Sequence, residues 1–176
     1  ARKLYVLKEE LVNGCTKRIY SQEGEELILQ ELFADKEYGF YVDIGAHHPK
    51  RFSNTYSFYK KGWRGINIDA MPGSMKSFSR IRSRDINLEL GISDKKGEMT
   101  YYMFDETAIN GFSKELCESR GKNSEFKIIG KKSVKTYPLS YVLDKYLPKG
   151  EKISFISVDV EGLDLMVLRS NDWKKY

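Results

Sequence analysis

The stretch FYVDIGAHHPKRFSN, residues 40–54, decides the fold. Apolar and aromatic residues surround Asp43, Gly45 follows, and two histidines come directly after it. An apolar run that ends at a glycine is typical of a buried strand and the loop behind it. The sequence therefore predicts a strand over residues 39–44 whose carboxyl end leads into a glycine-containing loop.

The residues before this strand carry a helical pattern. We predict a helical segment over about residues 1–38, whose last helix lies in YSQEGEELILQELFAD and is capped by Ser21. This helix would carry apolar residues at helical spacing, namely Leu27, Ile28, Leu32 and Phe33.

Strands and helices alternate after residue 44. SNTYSFYKKG predicts a short helix between a cap at Ser53 and a stop at Gly62. WRGINIDA predicts a strand ending at Asp69, a helix follows Pro72, and INLELGISD predicts a third strand. Such alternation implies right-handed crossovers between parallel strands. We therefore predict an α/β fold in a single domain, with its core over about residues 39–176.

The pattern changes after the third strand. GEMTYYMF and SVKTYPL predict two further strands, joined by a polar stretch over residues 115–127 that we interpret as a loop. PLSYVLDKYL predicts a helix, KISFISVDVEG a fourth core strand, and LDLMVLRS the beginning of another helix. The basic segment KSFSRIRSRD is interpreted as a solvated helix end, with an anionic sugar site through Arg82 or Arg84 as the alternative.

Composition narrows the class of partner. The hydrophobic content of 40% suits a folded protein, and no apolar run is long enough to span a membrane, so we expect no membrane partner. The net charge of +5 comes from Lys and Arg residues spread along the chain, so we expect no nucleic-acid partner. Cys15 and Cys117 form neither a disulfide framework nor a metal-ligand spacing, which favours a cytoplasmic location.

Acidic residues lie at successive strand ends. In open parallel sheets, ligands bind outside the carboxyl ends of the strands, so these residues should line one site. They are Asp43, Asp69, the Ser93–Asp94 pair, and Asp159 with Glu161.

An acidic site favours one cofactor over another. A dinucleotide needs the G-x-G-x-x-G turn, and here the turn has only its first glycine, Gly45, behind an acid that would repel a pyrophosphate. S-adenosylmethionine carries no phosphate, and its amino group and sulfonium are attracted to carboxylates. Asp69 could accept hydrogen bonds from its ribose hydroxyls. We therefore expect S-adenosylmethionine as the cofactor.

The order of motifs resembles the FkbM-type family of S-adenosylmethionine-dependent methyltransferases, in the branch with a DIGAHHP…SNT first motif. The resemblance covers nearly the whole chain from Tyr20 and rests on five segments in order: YSQEGEE, FYVDIGAHHPKRFSNT, GWRGINIDAMP, RSRDINLELGISD and ISFISVDVEGLDLMVL. One departure is His47-His48-Pro49, where many relatives carry Asn-x-Gly.

The resemblance implies a Rossmann-like class I methyltransferase fold, with a mostly parallel central sheet flanked by helices. It also implies O-methylation of a hydroxyl on a sugar, a polysaccharide or a secondary metabolite, so the partner would be a small-molecule or carbohydrate acceptor. The cofactor residues that it implies are Asp43, Gly45, Ala46 and His47 at the methionine end, Asp69 and Ala70 at the ribose, Ile92 and Ser93 at the adenine, and Gln22 closing over the cofactor.

Three residues are candidates for the chemistry. Asp159 and Glu161 are two apart and would share a face of a strand, so both could face the site. We assign Asp159 as an orienting residue near the sulfonium and Glu161 as the leading general base, with His48 as the second candidate.

Neighbouring histidines generally point apart, so we expect no metal held by His47 and His48 together. Two alternatives remain open. One is a metal-dependent hydrolase that uses both histidines with Asp43 and Asp159, and the other is a catalytically silent methyltransferase-like binding domain.

The fourth core strand, residues 152–159, is followed by one helix before the sequence stops. Methyltransferases of the class that it resembles have further strands beyond this one. Because ISFISV is apolar on both sides, its free edge would be prone to association. We expect either a longer natural chain that supplies the missing C-terminal strands, or a homodimer that pairs this edge.

Overall fold

The computed structural model describes residues 19–123 and 125–176. The predicted helical segment over residues 1–18, with Cys15, lies outside the described residues. The helices are α1 (Glu25–Leu32), α2 (Tyr56–Lys60), α3 (Met75–Ile81), α4 (Lys114–Asn123), α5 (Leu139–Tyr146) and α6 (Asp164–Arg169). The strands are β1 (Phe40–Ile44), β2 (Arg64–Asp69), β3 (Ile86–Glu89), β4 (Gly91–Ile92), β5 (Gly97–Phe104), β6 (Ile128–Tyr137) and β7 (Ile153–Val158).

The central sheet has the strand order β3-β2-β1-β7, and every pairing in it is parallel. β1 is buried along its whole length because a strand covers each of its edges and packed side chains cover each of its faces. β7 pairs with β1 on one edge, and no strand of the described residues pairs with the other. The predicted α/β fold with a mostly parallel sheet flanked by helices is confirmed.

A second, smaller sheet has the order β4-β6-β5, with β5 antiparallel to β6. The predicted third strand is split between the two sheets, since β3 ends at Glu89 and β4 begins at Gly91. The predicted loop over residues 115–127 is wrong, because most of it forms α4. Its apolar side chains are the adjacent Leu116 and Cys117, and Cys117 is buried against Tyr102 and Phe104. Two neighbouring residues form no apolar stripe, so the sequence does not indicate a helix here.

The helix α1 also differs from its prediction. Ile28 and Leu32 are exposed, while Glu26 and Gln30 are the buried positions of the helix. Glu26 is buried because its carboxylate accepts hydrogen bonds from the backbone N–H groups of Tyr20 and Ser21, at 3.1 and 3.2 Å. The cap position is occupied by Gly24 and not by Ser21.

Two apolar clusters cover the two faces of the central sheet. Phe40, Val42 and Ile44 alternate with Tyr41 along β1, so they point to opposite faces. The first face packs against α5 and α6, and the second packs against an aromatic cluster that includes Phe58. None of the helices in the described part of the chain has the length and apolarity that a membrane span needs.

A buried ionic network lies on the Tyr41 face. The Arg82 side chain has no exposed surface and donates to Asp85 Oδ2 at 2.9 Å, to the Tyr41 hydroxyl at 2.6 Å and to Thr55 Oγ1 at 2.9 Å. Thr55 Oγ1 in turn donates to Asp43 Oδ2 at 2.6 Å. Arg82 is therefore neither a solvated helix end nor a sugar site, as the sequence suggested, but the link between α3 and the end of β1.

Removing the Arg82 guanidinium should strongly destabilise the fold. Arg82→Met would leave the buried Asp85 carboxylate without its counter-ion, and breaking a buried pair in this way costs about 3–5 kcal/mol. Urea denaturation should show this loss in the free energy of unfolding. The matched control is Arg80→Met, at an exposed position two residues earlier in α3, which should change the free energy of unfolding by less than about 0.5 kcal/mol. Equal stability of the two variants would contradict the importance of the network.

Candidate active site

A cleft lies at the carboxyl ends of β1, β2 and β7, between the central sheet and the second sheet. It has about 830 Å³ of empty space, counted out to the open solvent. The cleft is where ligands of parallel sheets are expected to bind.

The loop after β1 forms the floor of the cleft. Gly45 has φ +81°, and a Cβ atom at this position would lie 1.7 Å from the backbone oxygen of Asp159. The N–H groups of Gly45 and Ala46 both donate to the Ile68 oxygen, at 2.9 and 3.1 Å, and Asp159 N donates to the Ile44 oxygen at 2.9 Å. Only glycine lets the ends of β1, β2 and β7 approach this closely.

Asp69, the last residue of β2, joins two loops of the site. Its Oδ2 accepts from His47 N and its Oδ1 from Met71 N, both at 2.8 Å. Burial raises the pKa of Asp69, and these two backbone donors oppose that shift. Because each carboxylate oxygen has a second lone pair, Asp69 can still accept hydrogen bonds from a ligand in the cleft.

Two contacts connect the loop after β1 with the turn that follows β5. His47 Nε2 lies 3.0 Å from Thr107 Oγ1, and Arg51 pairs with Glu106 at 3.1 Å. Burial, followed by the charge of Arg51, lowers the pKa of His47, so this imidazole is neutral at neutral pH. The contacts hold the two walls of the cleft together at its mouth.

Asp159 and Glu161 both line the cleft, although the predicted geometry was wrong. β7 ends at Val158, so they lie in a loop instead of on one face of a strand, and Glu161 has φ +56°. Partial desolvation and then the Glu161 carboxylate raise the pKa of Asp159. Arg120 of α4 donates from Nη2 to Glu161 Oε2 at 2.5 Å and so fixes one oxygen of that carboxylate.

The structure brings most of the predicted site residues to the cleft and leaves four out of its lining. Those in the lining are Gln22, Gly45, His47, Asp69, Ala70, Ile92, Asp159 and Glu161. Those left out are Asp43, Ala46, Ser93 and His48.

Asp43 lies beneath the loop and not in the lining. It is 5% exposed and is bonded to Thr55, and burial raises its pKa against the opposing charge of Arg82. Ala46 is buried against Met75 and Phe78 on the lower side of the same loop. Neither side chain belongs to the cleft lining, and their contacts with the methionine end of the cofactor stay predictions.

Ser93 and His48 are engaged elsewhere. Ser93 is buried and donates from its hydroxyl to the Lys95 oxygen at 2.8 Å, and its place at the adenine stays a prediction. His48 Nδ1 accepts from the backbone N–H groups of Lys50 and Arg51, at 3.1 and 2.9 Å. Taking up a proton at Nδ1 would break both bonds, which disfavours His48 as a general base, and its catalytic role stays a prediction.

The residue set of the hydrolase alternative is not brought together. His47 and Asp159 line the cleft, whereas Asp43 and His48 lie outside its lining. In residues 19–123 and 125–176, no three His, Cys, Asp or Glu side chains are arranged to hold a metal ion.

Several cleft residues were missed by sequence reasoning. Tyr101, Thr107 and Asn110 line the cleft from the second sheet and the turn that follows β5. Arg120 reaches Glu161 from α4, the helix that was interpreted as a loop. These residues belong to no motif, and the only signal was that their segment interrupts the strand–helix alternation.

The comparisons with known proteins add the family. A family model described as the methyltransferase FkbM domain matches residues 43–176. The chain belongs to the FkbM methyltransferase family. The FkbM domain begins at Asp43 and so contains every cleft residue named above except Gln22, which precedes α1. The comparisons with curated proteins and with solved structures returned no match.

A side chain at Gly45 should disrupt the floor of the FkbM domain. Gly45→Ala would force the Asp159 backbone away from β1 and strain φ, so we expect a loss of several kcal/mol in the free energy of unfolding. Gly73→Ala separates the two causes, because Gly73 has φ +86° but nothing within 4 Å of its Cβ position. That control should lose only about 1–2 kcal/mol. Equal losses in urea denaturation would mean that the close approach contributes nothing.

Proposed function

We propose that this methyltransferase uses S-adenosylmethionine to methylate a hydroxyl oxygen of a sugar, a polysaccharide or a secondary metabolite. The observation that carries the proposal is that the backbone N–H groups of the cleft floor are already hydrogen-bonded within the protein. The backbone N–H groups of Gly45, Ala46 and His47 are all bonded internally, to Ile68 and Asp69. They are therefore not free to bind a pyrophosphate, as a dinucleotide cofactor would require.

The charges of the cleft support the same cofactor. Asp69, Asp159 and Glu161 contribute three carboxylates to the lining, and these favour a ligand with a cationic amino group and a sulfonium. An apolar strip that includes Ala70, Leu90 and Ile92 would suit the adenine ring. The residues present therefore fit S-adenosylmethionine, with Gly45 and His47 nearest to its methionine end and Gln22 covering it.

S-adenosylmethionine supplies, when bound, a methyl group activated by the positive charge on sulfur. The chain's own task is to hold the acceptor oxygen in line and to take its proton. Glu161 is the leading base, because Arg120 bonds Oε2 and leaves Oε1 for the acceptor hydroxyl. Asp159 would orient the cofactor by its charge.

Cofactor binding is the first test. Calorimetry should show that S-adenosylmethionine and S-adenosylhomocysteine bind, while NAD does not. Asp69→Asn removes the charge that would hold the ribose and should weaken binding by about 1.5–3 kcal/mol. The control is Asp94→Asn, at an exposed acid near the end of β4, which should bind as the wild type does. Absence of binding to the wild type would refute the proposed cofactor.

The general base is tested by turnover. Glu161→Gln should keep the affinity for S-adenosylhomocysteine and lower methyl transfer to a panel of methyl glycosides by about 10²–10⁴-fold. Glu115→Gln, an exposed position of α4, serves as the control. If Glu161→Gln is fully active and Asp159→Asn is not, the base is Asp159. Binding of the cofactor without transfer to any acceptor would instead match a silent domain.

A further inference from the structure

Asn110 presents an unpaired hydrogen-bond donor in the cleft. Its side chain is 94% buried, since only 6% of it is exposed, and it belongs to the cleft lining. Its Oδ1 accepts from Phe104 N at 2.7 Å, which fixes the orientation of the amide. Its Nδ2 is buried and has no hydrogen-bond acceptor within 3.5 Å among the described residues. The amide has two N–H groups, so an interaction with the nearby Tyr101 hydroxyl still leaves one N–H for a ligand. Buried polar groups are nearly always paired, so this donor indicates a ligand that supplies an acceptor atom.

The residues on both sides of Asn110 lie against Glu161, the proposed base, or against its partner Arg120. The residue before it, Ile109, accepts at its backbone oxygen from Arg120 Nη1 at 3.3 Å, and the same guanidinium bonds Glu161 Oε2. The residue after it, Gly111, approaches Glu161 so closely that a Cβ atom there would lie 3.4 Å from Glu161 Cβ. The backbone on both sides of Asn110 therefore contacts either Glu161 or its ion-pair partner.

Tyr101 extends this polar surface. It is 6% exposed, lines the cleft, and places its hydroxyl beside the Asn110 amide. Burial, followed by the charge of Asp69, raises the pKa of Tyr101, so its hydroxyl stays protonated. β5 and the turn after it thus offer two neutral hydrogen-bonding groups, those of Tyr101 and Asn110, in the cleft that Glu161 also lines.

We propose that Asn110 and Tyr101 form the acceptor subsite, in which Asn110 Nδ2 donates to the oxygen next to the hydroxyl that Glu161 deprotonates. This inference rests on the proposed function and narrows its substrate to acceptors with adjacent oxygens, the vicinal diols of carbohydrates. The reacting oxygen gives its proton to Glu161 and forms its bond to the methyl carbon as the carbon–sulfur bond breaks. The neighbouring oxygen is bound but not consumed, so Asn110 is a specificity-determining residue.

The test combines a change in the protein with a change in the acceptor. Asn110→Asp keeps an oxygen that can accept from Phe104 N and replaces only the unpaired amide group. Each methyl glycoside that the wild type methylates is compared with the analogue that lacks the neighbouring hydroxyl. For the wild type, loss of that hydroxyl should raise KM at least about tenfold, as expected when a buried donor loses its partner. In Asn110→Asp the two acceptors should have nearly equal KM values.

Two further measurements separate this role from a structural one. Saturation-transfer NMR on the protein loaded with S-adenosylhomocysteine should show the same preference in binding, independently of turnover. The S-adenosylhomocysteine affinity of Asn110→Asp should stay near the wild-type value, while its unfolding midpoint should fall because the new carboxyl is buried. Asn171→Asp is the matched control, because Asn171 also has a buried, unpaired amide but lies outside the cleft lining, and it should leave the acceptor preference unchanged.

The outcomes that overturn the inference are distinct from failure of the proposed function. If Asn110→Asp weakens S-adenosylhomocysteine binding tenfold and keeps the acceptor preference, the amide serves the cofactor carboxylate. If neither quantity changes, or if the wild type shows no preference for adjacent hydroxyls, Asn110 does not select the acceptor. A wild type that binds no S-adenosylhomocysteine removes the proposed function itself.

Discussion

The fold depends on one fully buried guanidinium. Arg82 makes hydrogen bonds to Asp85, Tyr41 and Thr55 from a position with no exposed surface. Removing a charge from water is expensive, and it is tolerated here because several partners satisfy the donors of the guanidinium at once. Thr55, which accepts from Arg82, donates in turn to Asp43. The position of the loop after β1 is therefore coupled to the end of α3.

Because of this coupling, Asp43 and Asp69 hold the loop after β1 from different directions. Asp43 is the support beneath the loop, while Asp69 holds the loop from the side through His47 N. The loop can then keep Gly45 against the Asp159 backbone, where no other residue fits. Because the backbone of this floor is held from below and from the side, the side chains that line the cleft remain available to position a ligand.

Much of the central sheet could be predicted because its signals are local. The apolar runs of β1 and β2 indicate buried strands, and the glycine after β1 indicates a tight loop. Each signal lies within a few residues of the feature that it predicts. The burial of Arg82 could not be predicted, because its partners come from three separate segments: β1, the turn before α2 and the residues after α3. Asn110 was missed for the same reason: a polar residue in a connecting segment becomes informative only when the folded chain encloses it and leaves its amide unpaired.

The pairing of β1 with β7 has a consequence for biosynthesis. Phe40 N bonds Ser154 Oγ across 114 residues of chain, and the whole second sheet is encoded between these strands. A chain that emerges from the ribosome in order must therefore wait with one edge of β1 uncovered until β7 has been translated. The floor between Gly45 and Asp159 cannot close earlier, so a nascent chain acquires a complete cleft only after β7 has been translated.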